Sequence, residues 1–248
     1  MGKIISIINH KGGVGKTTTA VDLGAALCRK GKKVLLVDLD SQANLTLSVG
    51  LEEDIEKTIY GALKDEYPLP IVNVPPFDVV PSCLDLSAAE TELINKIGRE
   101  RILSKVLQPV KANYDYILID CPPSLALLSI NAMAASDSVL IPVQAQYLAM
   151  RGMEKLVNVI EQVKEAINPK LTIEGILITM YKGRQNLSKS ISEIVRENYH
   201  GKVFKNFIRE STALAEAAAA GTSVFELKKS NGQEDYDNLC NEILENNE

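Results

Sequence analysis

Eight consecutive residues, Lys11-Gly12-Gly13-Val14-Gly15-Lys16-Thr17-Thr18, constrain this chain more than any other stretch. They follow an apolar run that reads as a strand, Lys3–Asn9, and precede a helical stretch reaching about Lys30. A strand, a glycine-rich loop and a helix in that order form a phosphate-binding turn. Gly12, Gly13 and Gly15 carry no Cβ, so backbone N–H groups around Val14 can crowd against phosphate oxygens. The helix N-terminus adds further donors and a favourable dipole. Lys16 brings a point charge to the β- and γ-phosphates, the Thr17 hydroxyl suits Mg²⁺, and Thr18 is placed to help hold the α-phosphate. The loop departs from the standard GxxxxGK[ST] spacing: the first glycine would fall on His10, and a second lysine, Lys11, stands inside.

The remainder alternates short β-rich runs with longer helical ones, which predicts an α/β fold with a mostly parallel twisted sheet flanked by helices on both faces. One domain spanning 1–248 is expected. The 248 residues are 46% apolar, enough for a sizeable core. Strands are predicted at Lys33–Asp38, Phe77–Val80, Tyr114–Asp120, Ser138–Val143, Leu171–Met180 and Lys202–Phe204. Helices are predicted at Ser124–Ala135, Met150–Ala166, Leu187–Tyr199, Thr212–Ala220 and Asp235–Glu245. Ser87-Ala-Ala-Glu90 has capping-box spacing and predicts a helix running to about Leu107. The proline-bearing residues 50–76 read as a short helix and an irregular connection.

Carboxylates complete the phosphate chemistry. Asp120 ends an apolar strand, so it emerges at the carboxyl edge of the sheet, where such folds bind ligands. A hard carboxylate there can hold Mg²⁺ through a water. Asp38 and Asp40 follow the second strand, and side chains two apart share a face of an extended chain.

Lys11 inside the loop, the stretch Val37-Asp38-Leu39-Asp40-Ser41-Gln42 and the stretch Ile119-Asp120-Cys121-Pro122-Pro123-Ser124 together resemble the ParA/MinD ATPases, most of all their short Soj-like ParA branch, over essentially the whole chain. The resemblance implies an ATPase with ATP and Mg²⁺ as ligands and weak basal turnover. It implies that Lys11 reaches the phosphates of a partner's ATP in a homodimer, that Asp40 orients the attacking water, and that Asp38 lies behind the metal. Cys121 matches no cluster-binding pattern and reads as a packing residue.

Charge points to the partner. The chain carries a net −5, yet from Lys182 to Arg209 seven Lys/Arg face two Glu, a local +5. Clustered cations suit sequence-independent contact with DNA phosphates. The resemblance places Arg184 on a DNA-contacting arginine, and Lys202 and Lys205 in a stretch that is also basic in the family. A second family arginine falls on Ala213; Arg209, one turn away, is the candidate replacement. The implied function is partitioning of a plasmid or chromosome by a nucleoid-bound, cytoplasmic ATPase that a ParB-like protein releases; positioning of a protein cargo is the alternative. The last sixteen residues are acidic and would be repelled by an anionic membrane, unlike the basic terminal helix of MinD. The first strand begins at Lys3, so no N-terminal DNA-reading extension is expected. Cys28, Cys83, Cys121 and Cys240 form no CxxC pair, and His10 and His200 are isolated.

Overall fold

The computed structural model describes residues 2–52, 54–145 and 149–247. Its elements run β1 (Lys3–Ile7), α1 (Lys16–Arg29), β2 (Val34–Asp38), α2 (Asn44–Ser48), α3 (Ile59–Lys64), β3 (Val72–Val74), β4 (Phe77–Val80), α4 (Leu86–Glu92) and α5 (Ile102–Leu107). They continue with β5 (Tyr116–Asp120), α6 (Leu127–Ala135), β6 (Ser138–Gln144), α7 (Ala149–Ala166), β7 (Thr172–Tyr181), α8 (Asn186–Asn198), β8 (Val203–Arg209), α9 (Thr212–Ala219) and α10 (Asn231–Glu245).

Eight strands form one sheet in the order β3-β4-β2-β5-β1-β6-β7-β8, parallel throughout except for β3 on β4. The chain leaves β1 toward β2, β4 and β5 on one side, then returns to add β6, β7 and β8 on the other. The crevice for ligands in such sheets lies where this direction reverses, outside the carboxyl ends of the strands. Here that places it above β1.

The strands are apolar on both faces because both faces are covered. Ile4, Leu35, Val37, Ile117 and Ile119 pack into one core layer with α5, α6 and α7. Ile5, Ile7, Leu36, Leu118 and Leu140 pack into the other against α1 and α10. Each such fully buried aliphatic side chain contributes roughly 1.5–3 kcal/mol. The sheet's outer edge at β8 is closed by the terminal helix. Glu242 accepts hydrogen bonds from the Lys205 and Asn206 N–H groups (2.7 and 3.1 Å), and Asp235 accepts from Arg209 N–H (2.8 Å). Acidic side chains of α10 thus take the place of a neighbouring strand and block edge pairing.

Five local expectations change. The helix foreseen from Ser87 to Leu107 is broken: α4 ends at Glu92, Gly98 takes φ +71°, and a 3₁₀ turn at Arg99–Arg101 leads into α5. Ser87 is no cap either, since the residue preceding α4 is Asp85. The segment read as irregular before Phe77 contains β3, whose Val74 pairs with Phe77 across Pro75-Pro76. β8 runs to Arg209 rather than Phe204, and α10 begins at Asn231 rather than Asp235.

One buried acid makes stability depend on pH. Asp22 on α1 is 2% exposed, and burial lifts its pKa to about 7 although it accepts a hydrogen bond from Val224 N–H at 2.8 Å. Below the ordinary carboxylate value it is protonated in both folded and unfolded chains and contributes nothing. Between that value and about pH 7 the unfolded chain loses the proton while the folded chain keeps it, so stability falls as pH rises. Asn presents the same acceptor and the same donor as the protonated acid. Asp22→Asn is therefore expected to raise the unfolding free energy by on the order of 2–4 kcal/mol at pH 8 and hardly at all at pH 4, read by urea denaturation at the two pH values.

Candidate functional site

The loop between β1 and α1 turns by placing Gly13 and Gly15 in the left-handed region, φ +71° and +89°. A side chain there would strain the backbone, and Gly15 is also the residue that starts α1 without any side-chain cap. The first turn of α1 carries no acidic residue of its own, so its N–H groups are left uncapped from within the helix. Two contacts from outside fix the loop. The Thr179 hydroxyl, at the end of β7, donates to Val14 O (2.9 Å), and Lys11 N–H donates to Asn9 Oδ1 (3.0 Å). Asn9 is in turn held through its Nδ2 to Pro142 O on β6 (2.7 Å).

Lys16 folds back over this loop, its Nζ donating to Lys11 O at 3.0 Å. It is 7% exposed. Loss of solvent lowers its pKa, against the pull of Asp120, Cys121 and Asp40. Thr17 donates its hydroxyl to Asp120 Oδ2 at 2.6 Å. The other oxygen, Oδ1, is buried and has no hydrogen-bond partner. Burial and then Asp38 push the Asp120 pKa to about 8. A buried carboxylate with one unsatisfied oxygen, beside a threonine hydroxyl and a phosphate loop, fits a hard divalent cation.

Sheet register explains why the acids meet. Asp38 and Asp120 are paired Cα neighbours on β2 and β5, and Ile7 at the end of β1 pairs with Asp120 from the other side. Asp38 is fully buried and occupied. Its Oδ1 accepts from Asp40 N–H (3.1 Å), and its Oδ2 accepts from the Thr46 N–H (2.9 Å) and hydroxyl (2.7 Å). Burial is the main reason its pKa rises to about 6. Asp38 thus anchors the loop that carries Asp40. Asp40 is 8% exposed and accepts from Gln42 N–H at 3.1 Å. Lys11, Lys16, Thr17, Asp38, Asp40 and Asp120 are brought to one edge of the sheet.

A cavity of about 220 Å³ adjoins the loop, lined among others by Thr18, Thr179, Met180, Glu210, Leu214 and Tyr236. Mostly apolar walls next to a phosphate loop suit a flat nucleobase. Of these residues the sequence alone assigns only Thr18 to the nucleotide. Thr46 and Thr179 were missed as well, for an isolated threonine carries no local signal. The only available hint is position, Thr179 lying near the carboxyl end of an apolar run.

The basic residues are arranged differently. Arg184, Lys202 and Lys205 are exposed. Arg184 follows the carboxyl end of β7, while Lys202 precedes β8, whose Val203 pairs with Ile176. Five residues of strand separate Ile176 from Tyr181, roughly 17 Å, so these cations line the length of an edge instead of converging. Arg209 stands apart. Its Nε donates to both oxygens of Asp235 (2.9 and 3.0 Å) and its Nη2 to Glu234 at 2.6 Å. The expectation that Arg209 offers an open cation is corrected: two acids of α10 take it. Among the described residues no helix is long and apolar enough to cross a membrane.

Sheet order, loop and acids define a P-loop nucleoside-triphosphate-binding protein. Residues 2–173 match the family model described as an AAA domain. The sporulation initiation inhibitor protein Soj of Bacillus subtilis (strain 168) is 46% identical over 252 residues, spanning 99% of this chain and 100% of that protein. The chromosome partitioning protein ParA of Myxococcus xanthus (strain DK1622) is 43% identical over 250 residues, spanning 98% of this chain and 88% of that protein. Among solved structures, cobyrinic acid a,c-diamide synthase from Mycobacterium smegmatis with bound ATP analogue and magnesium is similar with a TM-score of 0.90 and 31% identity, covering 98% of this chain and 94% of that one. The chain belongs to the ParA/MinD family of P-loop proteins.

Proposed function

We propose that this chain is an ATP-hydrolysing partitioning switch. ATP binding joins two copies, the pair holds DNA without regard to sequence, and a ParB-like protein triggers hydrolysis and release. The observation that carries the ATPase reading is the meeting of the Thr17 hydroxyl with a carboxylate whose other oxygen is buried and unpartnered, Asp120 Oδ1, at the head of α1. Thr17 and, through water, Asp120 would hold Mg²⁺, which when bound neutralises charge on the β- and γ-phosphates. Lys16 supplies the loop's own cation. Gly12, Gly13, Val14, Gly15 and Thr18 surround the phosphates with backbone and hydroxyl donors. Asp40 orients the attacking water, held in place by the loop that Asp38 anchors. Phosphoryl transfer depends mainly on positioning and charge, so slow basal turnover follows from a site still missing its partner's contribution.

Partitioning, in preference to amide synthesis on a small carboxylate, is supported by the relative named as a chromosome partitioning protein, at 43% identity against 31% for the diamide synthase. The exposed cations of the segment 182–205 supply the polyanion surface, on a cytoplasmic, nucleoid-associated protein. The deciding experiment measures binding to random-sequence duplex DNA with ATP against ADP across a salt series, using Asp40→Ala to hold the ATP state. Salt-sensitive binding with ATP alone is expected; none in either state would refute the DNA-bound switch.

Lys11 is assigned to the partner's phosphates. Its backbone is pinned at both ends, by Asn9 and by Lys16 Nζ, so substitution of the side chain leaves the loop in place. A charge-assisted contact contributes about 1.5–3 kcal/mol, and a two-fold dimer has two. Lys11→Ala is expected to retain ATP binding while ATP-dependent dimers vanish in sedimentation; dimers that persist with ATP would remove the contribution in trans.

A further inference from the structure

The cations of the basic segment differ in what holds them. Arg209 is clamped by two carboxylates, one of them, Asp235, only 6% exposed. Arg184 and Lys205 are exposed side chains. Lys182 lies between these extremes: its Nζ is 2.9 Å from Glu210 Oε2, and the two side chains are 40% and 57% exposed. The backbone brings them together, because Glu210 N–H donates to Tyr181 O at 3.2 Å where β7 and β8 end. The Tyr181 and Phe207 rings, 4.2 Å apart, brace the same junction.

An ion pair this exposed is weak and is readily exchanged for a stronger anion. A phosphate backbone is such an anion, and Lys182 stands two residues from Arg184 in the same loop. We propose that Lys182 is a further polyanion-contacting residue and that Glu210 is an internal competitor for it, restraining DNA affinity until phosphates displace it. The inference rests on the reading of this segment as a DNA surface. It assigns Arg209 and Lys182 opposite parts: the first fastens α10 to β8, and the second is lent to the ligand.

The test uses the full chain with saturating non-hydrolysable ATP analogue and random-sequence duplex DNA across a salt series. Glu210→Gln is expected to bind about threefold to tenfold tighter near physiological salt, with a log–log salt slope steeper by about 0.9 per protomer for each phosphate gained. Lys182→Gln alone should weaken binding about twofold to fivefold, less than a free cation would because Glu210 already offsets part of the contact, and in the Glu210→Gln background it should cancel the gain. If wild type binds DNA and Glu210→Gln binds with the same affinity and slope, the competitor role fails while the DNA surface stands. If the gain survives Lys182→Gln, Lys182 is not the residue released. Binding by Glu210→Gln alone would support the restraint in its strongest form. If neither protein binds, the DNA surface and the restraint fall together.

Discussion

Replacing Lys16 with alanine is expected to abolish measurable ATP binding at micromolar nucleotide, an affinity loss of roughly a hundredfold to ten-thousandfold. Two charge-assisted hydrogen bonds to the β- and γ-phosphates are lost, at about 1.5–3 kcal/mol each; each 1.4 kcal/mol is tenfold. The fold should survive. The Lys16 ammonium donates to a backbone carbonyl, Lys11 O, and has already lost most of its water. Asp120 keeps the Thr17 hydroxyl as a hydrogen-bond donor when the cation is removed, and Asp40 keeps Gln42 N–H. Calorimetric titration with ATP and a thermal melt separate the two effects. Lys16→Ala that still binds ATP within threefold would mean the ammonium does not reach the phosphates. Arginine should rescue poorly, because a planar guanidinium does not reproduce the point charge of a compact ammonium folded over the loop.

Much of this site is legible in the sequence because phosphate chemistry acts locally. A strand, three glycines, a lysine and two threonines within eight residues leave few other readings. Asp38 and Asp120 were readable for a different reason: each ends an apolar run, and parallel strands place such ends on one edge. What could not be read depends on pairings across the chain. Thr46 holds Asp38 from eight residues away, and Thr179 holds Val14 from 165 residues away, yet neither is unusual in its own neighbourhood. Arg209 looks like an open cation in sequence, and only the packing of α10 beside β8 shows its acids. The same helix hid the length of β8. Lys205 and Asn206 interrupt the apolar pattern because their partner across the edge is the Glu242 carboxylate, not another strand. The capping-box signal at Ser87 failed because α4 already begins at Leu86, after Asp85, and the helix it foresaw stops at Glu92.

Asp40→Ala is expected to lower single-turnover ATP hydrolysis by at least about a hundredfold, the usual scale for losing a group that positions or accepts a proton, while ATP affinity changes by less than about threefold. The side chain has two separable tasks. It closes a turn by accepting Gln42 N–H, and it faces a crevice that also contains Lys16 and Asp120. Its backbone N–H, bonded to Asp38 Oδ1, is untouched by substitution, so the loop keeps its anchor. Asn preserves the turn acceptor but removes the charge. If Asp40→Asn is as slow as Asp40→Ala, the carboxylate itself acts on the attacking water. If Asn restores turnover, the residue matters only as a turn former, and the water must be oriented by another group. Both variants should accumulate with ATP uncleaved and ADP absent in quenched reactions, since nothing that binds the phosphates has been removed. Wild-type turnover in Asp40→Ala would take this residue out of the hydrolytic step altogether.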